Sequence, residues 1–341
     1  MYIIGIPKEI KAFEQRVSMV PDDIKILLEN NDDIKIYVQA NAGHNAGYSD
    51  NDYIAKGAFI LDNIEEIYDK ANIIVKVKEP QKREYTLITS KHTILSFFHF
   101  AGNNELIKAM IDSKAKCYAY ETIQDDSGLY PILSPMSIIA GKKSMIEADK
   151  LIKKKNKYTI ITIIGVGNVG KAAAEQAIKL GYQNINLIDN DYEKIKDIEH
   201  GNPTIYKAYE MNEKNLKKLL IFSNIVISSI YINGMKAKKI INNELLDLMS
   251  HTRPIIMDVA IDQGGTTDQS TPTTLQNPLI KYKNTNIYCV PNIPSTEPIE
   301  ASIKLSNAIY PYLHSLIATN NVNNAKYLRE LNRGLYVNSN E

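Results

Sequence analysis

The sequence predicts an α/β protein of two lobes, each built on a parallel sheet, with the first lobe discontinuous in the chain and a cleft between the two. Three observations predict it. The 341 residues exceed the usual length of one domain. Short β-branched runs alternate with helix-forming segments along most of the length. One of those runs, residues 159–164, breaks into Gly165-Val166-Gly167-Asn168-Val169-Gly170 and continues as the helix-forming Lys171-Ala172-Ala173-Ala174.

The elements follow in order. Residues 2–6 read as a strand and 21–29 as a helix with Pro21 near its start. Residues 34–38 are a strand, and 52–57 a short helix stopped by Gly57. Strands follow at 73–78, 93–98 and 116–120, which completes one α/β unit ahead of the glycine motif. Residues 137–155 read as one long connecting helix. The second unit continues through strands at 185–188, 225–230, 255–259 and 287–290, continuous apolar runs of the kind found in a sheet covered on both faces. Residues 298–314 again have helical spacing and return the chain to the first lobe. The boundaries are therefore 1–135 plus 299–341 for one domain and 136–298 for the other.

The glycine motif lies between a strand and a helix, the context in which it binds a dinucleotide. Gly165 permits the tight turn out of the strand, Gly167 lets the backbone approach a pyrophosphate, and Gly170 lets the helix pack close to the sheet. The N–H groups at the helix start, with Asn168 and Val169, point at the phosphates and are favoured by the helix dipole. The next strand ends in Asp189, 19 residues beyond Gly170, where a carboxylate accepts from ribose hydroxyls. Asp191 is close by and no arginine is adjacent, so a 2′-phosphate is repelled. The cofactor read from these residues is NAD, and the two Rossmann-like lobes follow from it.

Bulk properties exclude other classes. A formal net charge of +1 advertises no nucleic-acid partner. The densest basic run, Lys153-Lys154-Lys155, reads as a solvated helix end. Cys117 and Cys289, the only cysteines, have no metal-ligand spacing and form no disulfide framework, which fits a cytoplasmic protein without a metal. The first residues lack the features of a leader, and no apolar run reaches the ~18 residues of a membrane span.

Four groups of polar residues, five side chains in all, sit at strand ends or just after them, where an open α/β sheet faces its ligand. They are Arg16 after the first strand, Lys76 and Lys78 at the end of another, His99 after Phe97-Phe98, and Asp262 after the strand ending at Val259. Each admits a plain structural role as well: a surface ion pair for Arg16, solvation for one of the lysines, a buried histidine among phenylalanines, a turn acid at Asp262. Together they supply a cationic pair and a titratable pair around one nicotinamide.

The chain resembles the alanine dehydrogenase family, which includes saccharopine dehydrogenases and a transhydrogenase domain. The resemblance is carried by Gly5-Ile6-Pro7-Lys8-Glu9, Glu14-Gln15-Arg16-Val17, Lys76-Val77-Lys78-Glu79-Pro80, Phe98-His99-Phe100-Ala101, Ala119-Tyr120-Glu121-Thr122, Pro135-Met136-Ser137, Gly234-Met235-Lys236-Ala237 and Asp258-Val259-Ala260-Ile261-Asp262-Gln263-Gly264-Gly265. It implies that Arg16 and Lys78 hold a substrate carboxylate, that His99 hydrogen-bonds the substrate oxygen and that Asp262 assists proton transfer. It also implies that Ser137, Asp189, Ala260, Ile261 and Asp262 line the cofactor, that Met136 and Asn292 lie near the substrate, and that the protein is a homo-oligomer. The chemistry is consistent: guanidinium suits a carboxylate bidentately, and imidazole titrates in the range that ammonia addition and water loss require.

The chain departs from the family pattern near residue 292. Ile293 replaces a methionine, and Glu297 and Glu300 stand where the family is neutral or basic. Three functions therefore remain open. The first is an NAD-dependent L-amino-acid dehydrogenase that interconverts an amino acid with a 2-oxo acid and ammonium. The second is an opine- or saccharopine-type dehydrogenase, in which the two glutamates hold a cationic amino acid whose side-chain amine is the nucleophile. The third is an NAD(H)-binding protein without catalysis.

Overall fold

The computed structural model describes residues 1–100, 103–153, 155–230, 236–318 and 324–337. Two compact units emerge, one from residues 1–136 with 295–341 and the other from 137–294.

The first unit opens with β1 (Tyr2–Ile6), α1 (Pro21–Glu29), β2 (Ile34–Gln39), α2 (Asp50–Ile54), β3 (Phe59–Leu61) and α3 (Ile64–Lys70). It continues through β4 (Ile73–Lys78), β5 (Thr93–Phe97), α4 (Asn104–Ser113) and β6 (Lys116–Ala119). The helix α5 (Leu133–Leu151) carries the chain out of this unit. The second unit holds β7 (Ile160–Ile164), α6 (Asn168–Lys179), β8 (Asn184–Asp189), α7 (Tyr192–Gly201), β9 (Tyr206–Glu210) and α8 (Glu213–Leu220). Then come β10 (Ile225–Ser228), α9 (Asn243–Met249), β11 (Ile255–Asp258), β12 (Leu279–Tyr282) and β13 (Thr285–Tyr288). The chain ends in α10 (Pro298–Ile317), α11 (Asn324–Arg333) and β14 (Leu335–Val337), which belong to the first unit.

Each unit has a seven-stranded sheet. The first has the order β14-β6-β5-β4-β1-β2-β3 and the second β12-β13-β11-β10-β7-β8-β9. The central strands are β-branched and buried on both faces, as a parallel sheet under helices requires. The sheets are not wholly parallel: β14 pairs antiparallel with β6, and β12 with β13. These edge strands, with β3 and β9, escape a sequence reading because they are short and half-solvated, with no continuous apolar run. The helix expected at 137–155 instead spans Leu133–Leu151, so Lys153 and Lys155 lie beyond its end and Lys154 lies outside the described residues. Lys155 is paired to Asp149 at 2.8 Å. Ala101, Gly234 and Met235 of the family motifs also lie outside the described residues.

In the first unit α10 packs on α1 through hydroxyls rather than apolar contact alone. Ser302 and Ser306 accept from the backbone N–H of Val17 and Val20, both at 3.0 Å, and Ser306 donates to Asp23. This ties down the segment that carries Arg16. In the second unit Gly141 of α5 approaches α6 so closely that a Cβ there would stand 2.1 Å from the Val169 carbonyl oxygen. That contact holds α5 against the glycine loop.

Candidate active site

In the first unit the site is built from loops at the carboxyl ends of β1, β4, β5 and β6. Arg16 is 3% exposed, so its ion pair is a buried one rather than a surface one. Glu14 takes it as a fork: Nε donates to Oε1 at 2.8 Å and Nη2 to Oε2 at 2.6 Å, while the Arg16 backbone N–H also donates to Oε1. Two parallel charge-assisted bonds fix the guanidinium plane. Nη1 donates to Met136 Sδ at 3.2 Å, which brings together two residues named from the sequence.

Neither lysine of β4 is solvated. Lys76 is fully buried between Glu84 at 3.0 Å and Glu9 at 3.5 Å. Burial opposes its charge, but the two glutamates outweigh that and hold its pKa above the ordinary lysine value. Glu9 accepts from the Val77 N–H at 2.6 Å, between the two lysines, and burial raises its carboxyl pKa to about 7. Glu84 accepts from the Tyr68 hydroxyl at 2.9 Å and from the Gln81 N–H at 2.7 Å. Lys76 is thus a structural cation beneath the site, and Lys78, also buried, is the one whose charge reaches His99.

His99 is exposed, contrary to the buried histidine that three neighbouring phenylalanines suggest. It has a left-handed backbone, φ +51°, and its ring stacks on Phe97 with centroids 6.1 Å apart. A left-handed histidine is uncommon and signals a position that its surroundings over-determine. Although one side of the residue meets solvent, the protein atoms crowded around the ring, and then the charges of Lys78, Lys11 and Arg16, push its pKa well below the ordinary value. This favours the neutral form of the imidazole. Its backbone N–H donates to Glu121 Oε1 at 2.6 Å, and that of Phe98 to Oε2 at 3.2 Å. Burial raises the Glu121 pKa, while its backbone hydrogen bonds and Lys78 draw it down.

In the second unit Gly165 leaves β7 with φ +81°, and α6 begins at Asn168 with Gly167 as its N-cap. Gly167 and Asn168 are exposed, and a Cβ built on Gly167 would meet nothing within 4 Å. That open space adjoins the start of α6, the kind of position that favours an anion. Asp189 at the end of β8 accepts from the Val166 N–H and from the Asp191 N–H at 3.0 Å, so it orders the glycine loop while remaining half-exposed. Ser229 donates to the Gly165 carbonyl at 2.7 Å. Ser137 is half-buried near the start of α5. Ala260 and Ile261 are buried in a single turn, Val259–Gln263, which also carries exposed Asp262. Asp262 accepts from the Asn292 N–H at 3.1 Å, and Asn292 is also left-handed, φ +56°.

Glu14, Glu9, Glu121 and Ser229 are the site residues that a reading of the sequence misses. Three of them stand inside the family motifs, but as acids with no visible partner. Glu297 and Glu300 have an ordinary structural account. They flank the start of α10, where negative charge complements the helix dipole, and Glu300 pairs with Lys304 of the same helix at 3.3 Å with both side chains well exposed.

A glycine loop between strand and helix in one unit, and an arginine, a lysine and a histidine at neighbouring strand ends in the other, are the arrangement expected of a nicotinamide-dependent dehydrogenase. Comparison with known proteins makes this specific. Residues 5–140 match the N-terminal domain of alanine dehydrogenase/PNT, and residues 154–341 match the C-terminal domain. The chain is 33% identical over 328 residues to the alanine dehydrogenase of Halomonas elongata, covering 92% of this chain and 87% of that one. It is 31% identical over 333 residues to that of Mycolicibacterium smegmatis, with the same coverage. A solved L-alanine dehydrogenase superposes with a TM-score of 0.89 at 28% identity, over 99% of this chain and 96% of that one. The chain belongs to the alanine dehydrogenase/PNT family and is an NAD-dependent oxidoreductase acting on CH–NH2 donors.

Proposed function

We propose that this enzyme deaminates L-alanine reversibly to pyruvate and ammonium, with Arg16 and Lys78 as the carboxylate clamp, His99 and Asp262 as the proton-transfer pair, and Met136 and Asn292 beside the substrate. The observation that carries the reading is positional: Arg16, Lys78 and His99 follow or close three neighbouring strands, β1, β4 and β5, with the Arg16 guanidinium forked on Glu14 and 3.2 Å from Met136 Sδ. A substrate carboxylate held by those cations stands next to a neutral imidazole, which is the form that can take a proton from attacking water. NAD, when bound, would supply the hydride acceptor; Gly165, Gly167, Asn168, Val169 and Gly170 would hold its phosphates, and Ser137, Asp189, Ala260, Ile261 and Asp262 would line the rest of it. The Arg16–Glu14 fork keeps the guanidinium from rotating, so the substrate is oriented before hydride transfer. The pairing of Glu300 with Lys304 supports ammonium, rather than a cationic amino acid, as the amine. The same reading carries a cytoplasmic homo-oligomer, supported by the two free cysteines and the family resemblance.

The test is the absorbance of NADH at 340 nm. Oxidation is expected with pyruvate only when ammonium is present, and lysine or ornithine in its place is expected to give little. Activity with a diamino acid and none with ammonium would reverse the assignment.

A second result follows from the charges around His99. The cations that depress its pKa are those that a bound carboxylate neutralises, so substrate is expected to raise it. NMR titration of the His99 imidazole with NAD alone, and then with NAD and pyruvate, is expected to show an upward move of about one pH unit. A downward move would separate the clamp from the histidine.

A further inference from the structure

We propose that Glu121 is a positioning residue for the reaction: its carboxylate holds two successive backbone N–H groups, those of Phe98 and His99, and so fixes the left-handed turn that presents the His99 imidazole. The inference rests on the proposed role of His99.

The geometry arises from where the strands stop. β5 ends at Phe97, paired with Lys78 at the end of β4, and its other neighbour β6 ends at Ala119, so the ladders stop before the amides of Phe98 and His99. Amides near the end of a buried strand need acceptors. Glu121 lies two residues beyond β6, in the turn Tyr120–Thr122, and supplies both, one oxygen to each N–H, at 3.2 and 2.6 Å. It is 8% exposed, and the Lys78 charge acts on it as well as on His99. One carboxylate thus links the clamp lysine to the backbone of the histidine. The second unit uses the same device, where Asp262 accepts from the N–H of left-handed Asn292. A neutral amide cannot replace Glu121, because its NH2 would face one of the two N–H donors.

The test uses the full-length enzyme with NADH, pyruvate and ammonium. Glu121→Gln is expected to lower kcat at least tenfold while KM for NADH stays within twofold. Because Glu121 acts through His99, Glu121→Gln added to His99→Ala is expected to lower kcat by less than twofold further. Glu121→Asp, which keeps the charge but withdraws it by one methylene, is expected to show a smaller loss that likewise vanishes beside His99→Ala. Losses that multiply in the double variants, or a Glu121→Gln enzyme with kcat within twofold of the parent, would overturn the proposal. A crystal structure of Glu121→Gln decides the point without turnover: His99 is expected to leave the left-handed region, and φ still near +51° would overturn it. A parent protein inactive with every 2-oxo acid would count against the dehydrogenase reading, while the backbone measurement would still judge Glu121.

Discussion

Alanine at Gly167 is expected to leave the thermal midpoint within about 2 °C of the parent and to weaken NADH binding by about 100-fold, near 2.7 kcal/mol, whereas alanine at Gly170 is expected to damage both. The two glycines are three residues apart, Gly167 at the N-cap of α6 and Gly170 in its first turn, and do different work. A Cβ at Gly167 touches nothing within 4 Å, and the residue is exposed at the N-cap of α6 with φ −76°, which alanine accepts. The added methyl therefore costs the folded chain little, and it fills the space that a pyrophosphate needs in order to reach the helix N–H groups. A Cβ at Gly170 would stand 2.1 Å from the Gly165 carbonyl oxygen and 3.1 Å from Ile163 Cγ2. A backbone oxygen cannot rotate aside, so α6 must lift from β7. Overpacking of this kind costs about 1–3 kcal/mol, enough to lower the midpoint by several degrees. The helix start then moves off the phosphates as well. Fluorescence titration with NADH and a thermal melt on each variant separate the cases. Equal loss of stability in both variants would show that Gly167 serves packing, and the cofactor assignment of the loop would lose its main support.

The contrast between these glycines also shows what sequence carries. The strand, glycine turn and helix were legible because their signal is local: a β-branched strand, three glycines, a helix and an acid at a fixed distance lie in one continuous stretch. The central strands were legible for the same reason, being apolar runs buried on both faces. The site of the first unit was legible only as separate side chains. Arg16, Lys78 and His99 could be named from strand ends and from the family resemblance, but their partners could not. Glu14 lies two residues from Arg16, and an acid so placed reads as surface charge until burial and the forked geometry are seen. Glu9, Glu84 and Glu121 come from the loops after β1, β4 and β6, and only the sheet order brings each of them to its partner. Lys76 shows the same limit from the other side: pattern put it beside Lys78 as a second candidate clamp, and the fold buries it against two glutamates.

That buried trio makes the last prediction. Lys76→Met is expected to destabilise the first unit by about 3–5 kcal/mol, because it leaves two carboxylates with no cation in a site that water does not reach. The loss is expected to grow with pH, and Glu9 sets the direction. Its pKa is raised from 4.5 in the unfolded chain to about 7 in the folded one, so the native state binds the proton more tightly. The stability that comes from this is complete below the unfolded value and is lost as pH rises through about 7, in total about 3 kcal/mol across that window. In the parent, Lys76 limits the loss by attracting the ionised form of Glu9. Without Lys76 the Glu9 pKa climbs further, and more of the window falls at working pH. Glu9→Gln removes the titration and is expected to flatten the slope between pH 5 and 7 while keeping an acceptor for the Val77 N–H. Urea midpoints at pH 5.5 and 8 for the parent, Lys76→Met and Glu9→Gln measure all three. The parent should be less stable at pH 8 than Glu9 alone would permit if it stayed protonated, and Lys76→Met should lose more between the two pH values than the parent does. A pH-independent loss in Lys76→Met would mean that Glu9 is already ionised throughout, and that the lysine packs against the sheet chiefly through its aliphatic stem.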